Sequence, residues 1–142
     1  MRTVLSAAAL LLTLTASSGS RVAPAPPPIL GAWRYVGTAP PGFVRQGTEV
    51  ARLTLRLQHG RLQALVATGR HRYTADGRYV AARHELLLSV PTSAGLVRLR
   101  ATAGQRDTRM IGIWSDAHGD DGGFVLLRVP PQVQRALPRR RR

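Results

Sequence analysis

Apolar and polar residues alternate strictly across residues 51–58, with Ala51, Leu53, Leu55 and Leu57 on one side and Arg52, Thr54, Arg56 and Gln58 on the other. A period of two is the signature of a half-buried strand. The strand runs into His59-Gly60, a two-residue turn signal, and then into residues 61–68, so the two segments predict a β-hairpin. Further strands are expected at 30–37, 70–74, 78–82, 84–90, 96–102, 108–115 and 123–129. Asp76-Gly77 reads as the turn between two of these, and Pro91 as the stop of another. In 96–102, Val97, Leu99 and Ala101 oppose Arg98, Arg100 and Thr102. No long segment carries a helical period. The chain is therefore expected to be all-β, an antiparallel up-and-down meander of about eight strands, closed or nearly closed into a small barrel because closure removes both exposed edges.

The ends of the chain follow other patterns. Arg2 precedes an apolar run at residues 4–15, then small residues through Ser20, the order of a secretory signal peptide. The run is shorter than the ~20 residues a membrane-spanning helix needs. Residues 1–20 are thus expected to be a signal peptide, 21–28 a Pro/Ala-rich spacer, 29–130 the barrel domain and 131–142 a basic, disordered tail. The expected location is periplasmic or secreted, with no transmembrane segment in the mature form.

Composition changes the picture in two ways. The chain has no cysteine, which excludes disulfides, thiolate metal sites and a cysteine nucleophile. All 21 basic residues are arginine against seven acidic ones, a formal charge of +14. Such a chain is drawn to anionic surfaces or polymers by a sequence-blind, salt-sensitive attraction, with no specific nucleic-acid readout implied. Arg52, Arg56, Arg98 and Arg100 fall opposite the leucines and, with Arg139, Arg140, Arg141 and Arg142, form the expected polyanion surface.

Gly31-Ala32-Trp33 opens the first strand and Arg128 lies near the end of the last. The pattern resembles the lipocalin, or calycin-type, barrels, in which a Gly-x-Trp closes one end and a basic side chain packs across the indole. The resemblance implies a barrel-closing set of Gly31, Trp33 and Arg128. It also implies a binding protein for a small apolar ligand at the end opposite Trp33, with Tyr35, Leu53, Leu55, Leu57, Leu86, Leu88, Val97 and Leu99 as the lining. The sequence is also similar to small secreted β-barrel inhibitors of metalloproteases, which implies an alternative role for residues 21–28 as an extended inhibitory segment.

Other chemistry finds little support. Asp116, Asp120 and Asp121 offer oxygen ligands but depart from the EF-hand spacing, and a loop between strands favours Asp and Gly in any case, so no metal is expected. The histidines His59, His71, His84 and His118 show no ligand spacing, and Ser89, Ser93 and Ser115 stand in no nucleophile elbow. A non-enzymatic protein without a cofactor is expected.

Overall fold

The computed structural model describes residues 27–104, 106 and 108–131. The expected signal segment, the greater part of the spacer and the tail after Pro131 lie outside the described residues. The strands are β1 (Gly31–Gly37), β2 (Glu49–Gln58), β3 (Arg61–Thr68), β4 (His71–Val80), β5 (Glu85–Thr92), β6 (Gly95–Ala103), β7 (Arg109–Asp116) and β8 (Asp121–Arg128). Each pairs antiparallel with the next, and β8 returns to pair with β1, so the eight-stranded meander is a closed barrel. Among the described residues no helix is long and apolar enough to cross a membrane.

The alternation read from the sequence becomes an inside and an outside. Leu53 and Leu55 on β2, Val97, Leu99 and Ala101 on β6, and Leu86, Leu88 and Val90 on β5 are buried, while Arg52, Thr54 and Arg56 face solvent. The hairpin at His59-Gly60 forms as expected, with both residues at positive φ between the paired Gln58 and Arg61. That is the backbone a two-residue primed turn requires to match the strand twist.

Two turn signals are overruled by tertiary contacts. Asp76-Gly77 lies within β4, which pairs with β3 through Leu62↔Gly77 and Gln63↔Asp76. Gly77 is there for space: a Cβ at that position would lie 2.4 Å from Leu88 Cδ2 and 2.8 Å from the Leu87 carbonyl. A glycine inside a strand marks close approach as readily as a bend. Pro91 does not stop β5, which continues to Thr92 and pairs Pro91 with Leu96. The β4–β5 ladder ends at Asp76↔Ser89, so Pro91 lies beyond it and its missing N–H breaks no bond there.

Both ends of the barrel are covered. At one end Trp33 is fully buried and its Nε1 donates to the Ile29 carbonyl at 2.8 Å. At the other, the loop between β1 and β2 folds inward and buries Phe43 against Tyr35, at a centroid distance of 5.8 Å. Polar contacts hold this loop down. Tyr73 Oη donates to the Gly42 carbonyl at 2.8 Å, and the Val44 N–H donates to the buried Thr68 hydroxyl at 2.7 Å. Trp114 Nε1 donates to Thr38 Oγ1 at 2.8 Å, which in turn donates to the Gly123 carbonyl at 2.9 Å.

Tyr35 is the titratable group most affected by this packing. It stacks on Phe124 with centroids 4.6 Å apart and donates to the Thr38 carbonyl at 2.9 Å. Burial pushes its phenol well above the ordinary value of 10.0. The unfolded chain therefore releases this proton first as pH rises, and stability is lost progressively above the ordinary tyrosine range. Tyr35→Phe is expected to cost about 1 kcal/mol at neutral pH through the lost hydrogen bond. It should also flatten the alkaline decline, as denaturant unfolding below and above the tyrosine range will measure.

Candidate functional site

The barrel-closing residues meet at the Trp33 end. The Arg128 guanidinium carbon lies 4.4 Å from the centroid of the Trp33 ring. Arg128 Nη1 donates to the Leu30 carbonyl at 2.8 Å and Nη2 to the Pro28 carbonyl, so one side chain covers the indole and ties the incoming chain across it. Gly31 makes room at φ +120°, where a Cβ would stand 3.3 Å from Arg128 Nη1. Arg34↔Leu127 and Trp33↔Arg128 set this register in the β1–β8 ladder.

The residues expected to line a ligand site are buried inside the barrel, with one exception. Tyr35, Leu53 and Leu86 are 0 % exposed and Leu55, Leu88, Val97 and Leu99 at most 2 %. These side chains fill the barrel, as the interior of an eight-stranded barrel is wide enough only for side chains or one small ligand. Leu57 leaves the set altogether: it stands at the end of β2 and is 43 % exposed. The end opposite Trp33, expected to be open, is stoppered by the Phe43 loop.

The outer wall holds a recess instead. A groove of about 720 Å3 crosses β4 to β7 and is lined by Arg78, Arg98 and Arg100, the hydroxyl residues Ser89 and Ser115, the apolar Leu87 and Ile113, and Asp76. Register explains the arrangement. One row across the sheet runs Arg78↔Leu87↔Arg100↔Ile113, and the adjacent row runs Asp76↔Ser89↔Arg98↔Ser115. Basic and apolar residues thus alternate along the first row, and the short serines of the second keep the floor low.

The arginines differ in how far they are already satisfied. Arg100 donates to Glu85 Oε2 at 3.2 Å. Arg52 bonds Glu49 at 2.6 Å, with Arg34 a further 4.0 Å contact to the same carboxylate, and Arg56 bonds Gln58 at 3.3 Å. Arg78 and Arg98 have no hydrogen-bond or ion-pair partner among the described residues. Of the expected polyanion residues, then, Arg98 and Arg100 share one groove, Arg52 and Arg56 lie elsewhere on the wall, and Arg139, Arg140, Arg141 and Arg142 lie outside the described residues.

Sequence reading missed Arg78, Leu87, Ser89, Ser115, Ile111 and Ile113 as site residues. The signal was present on β7, where Met110, Gly112 and Trp114 turn inward and so commit the two isoleucines to the outside. Of the three candidate oxygen donors, Asp116 has structural work: its Oδ1 accepts from the N–H groups of His118 and Asp120, each at 2.9 Å, and closes the β7–β8 hairpin. Among the described residues no three His, Asp or Glu side chains converge into a metal cage.

Arg128→Ala is expected to lower the unfolding free energy by about 2 kcal/mol, since it removes the cation–π contact and orphans two carbonyls. Arg128→Lys should recover only part of the loss, because an ammonium cannot span both carbonyls while lying over the ring. Denaturant unfolding of the three proteins is the measurement.

The comparisons add no relative to this geometry: no known protein family's profile matches the chain, and no curated protein matches it.

Proposed function

We propose that the protein is an exported, non-enzymatic, calycin-like barrel that binds an anionic partner through its outer wall, with the β4–β7 groove as the contact. The calycin reading is supported by the Gly31, Trp33 and Arg128 arrangement. The observation that carries the functional reading is the pair of guanidiniums without a partner among the described residues, Arg78 and Arg98, beside two hydroxyl groups in one recess. Guanidiniums suit phosphate and carboxylate oxygens because they donate through two parallel N–H groups. A hydroxyl adds a donor of adjustable direction.

The packed interior withdraws support from a small apolar ligand inside the barrel and leaves the outer wall as the surface with unused chemistry. Ser93 shares a hydrogen bond with Tyr73 at 3.1 Å, and no histidine bonds Ser89 or Ser115 among the described residues. His84 contacts Tyr79 and His71 stacks on Tyr73. The inhibitor alternative gains no specific observation, since Pro28 is tied to the barrel by Arg128, the Pro27 carbonyl accepts from the Leu30 N–H, and residues 21–26 of the arm lie outside the described residues.

The test is binding to heparin as a soluble polyanion over a range of salt. Replacing Arg78, Arg98 and Arg100 together by Ser is expected to weaken binding at least tenfold and to make the slope of log K against log salt shallower by about two to three. Replacing Arg61, Arg70 and Arg83, exposed arginines outside the groove, should leave both quantities closer to the parent. Equal losses in the two triple variants would mean that net charge, not the groove, does the binding.

A further inference from the structure

Beside the groove the outer wall carries apolar side chains that packing does not explain. Ile111 and Ile113 are 59 % and 61 % exposed, the most exposed large apolar residues among those described. Soluble barrels place polar residues at outward positions, and the chain does so at Arg52, Thr54 and Arg56 on β2 and at Arg98, Arg100 and Thr102 on β6. On β7 it places two β-branched hydrocarbons there instead.

The neighbours leave them bare. Ile113 lies between Arg100 on β6 and Gly123 on β8, and Gly123 has no side chain to cover it. The long stem of an arginine normally shelters adjacent apolar surface. Arg100 is drawn the other way, toward Glu85 on β5, which lies on the far side of β6 from β7. Ile111 faces Thr102 on one side and Val125 on the other, with Val36 next in the row. One step along, Arg109↔Leu127↔Arg34 closes the apolar strip with basic residues at both sides. Among the described residues acidic groups stand at both ends of this wall, Asp76 on β4 at the far end of the groove and Asp116, Asp120 and Asp121 around the β7–β8 hairpin, while Glu85 is engaged by Arg100.

A strip of hydrocarbon rimmed by guanidiniums needs a partner that is apolar beneath and anionic above. A soluble polyanion satisfies the rim alone. A second copy of this chain satisfies the isoleucines but brings arginine against arginine, at +14 per chain. The interface of a phosphate-bearing lipid bilayer supplies both, since apolar side chains sink to the acyl boundary while basic ones meet the headgroups. We infer that the protein docks on anionic phospholipid membranes through the β7 side of its wall, with Ile111 and Ile113 at the acyl boundary and Arg78, Arg98, Arg100 and Arg109 on the phosphates. This inference rests on the anionic-partner reading and names its partner.

The experiment places a fluorescent reporter on each side of the barrel in the full chain. Ile113→Trp marks the docking strip, and Leu65→Trp marks β3, which stands four strands from β7 in either direction around the barrel and is exposed on its outer face. The native Trp33 and Trp114 are buried and give a constant background. With vesicles of phosphatidylglycerol and phosphatidylcholine, emission from position 113 should shift to the blue and be quenched by brominated acyl chains, while emission from position 65 should not change. Vesicles of phosphatidylcholine alone should give a weaker shift, and salt should reverse it. A vesicle-bound protein in which position 65 responds as strongly as position 113, or in which neither responds, overturns the inference. So does heparin binding without vesicle binding, which leaves the broader anionic-partner reading standing; failure to bind either removes both.

Discussion

Closing the sheet through the β1–β8 ladder divides the side chains of every strand between a finite interior and an open exterior. The interior has room for one layer of packed side chains, so each inward position must carry a residue of the right size. Trp33, Tyr35, Met110, Phe124 and Leu126 fill the space together with the leucines of β2, β5 and β6. Where two inward groups would collide, one of them is glycine, as at Gly77 against Leu88. The ends need separate solutions because no strand crosses them. Arg128 lies over Trp33 at one end, and the Phe43 loop, pinned through Thr68 and Tyr73, shuts the other.

A barrel filled in this way leaves its outer wall as the surface with unused chemistry, on which the proposed function rests. The same two-residue period that sends leucines inward sends arginines outward, and cross-strand register then decides which of them stand together. Arg78, Arg98 and Arg100 come from two strands separated by β5, and only the ladder brings them to one groove with Ser89 and Ser115. The carboxylates tune this surface unevenly. Glu49 engages Arg34 and Arg52, and Glu85 engages Arg100, while Arg78 and Arg98 are donors without acceptors among the described residues.

Strand identity was legible wherever alternation was strict. β2, β3 and β6 lie within two residues of their expected bounds, and His59-Gly60 turns where its dipeptide says it should. The errors have a common cause. Asp76-Gly77 and Pro91 carry local turn chemistry, and what overrides it is long-range: the approach of Leu88 to Gly77, and the end of the β4–β5 ladder before Pro91. The open end opposite Trp33 was expected from the resemblance to lipocalin-type barrels alone. Nothing local shows that Phe43 turns back into the core, which depends on partners 24 to 31 residues away. The groove was illegible for the same reason, since its residues share neither a segment nor a period. Ile111 and Ile113 were legible in principle, as apolar residues on the face opposite Trp114.

The central claim, that the outer wall and not the interior receives the partner, is tested most directly by methyl NMR of the protein titrated with heparin fragments. The account predicts shifts at the Leu87 and Ile113 methyls as the fragments bind, with the Leu53 and Leu86 methyls unmoved. Shifts concentrated on Leu53 and Leu86, with Leu87 and Ile113 silent, would contradict it.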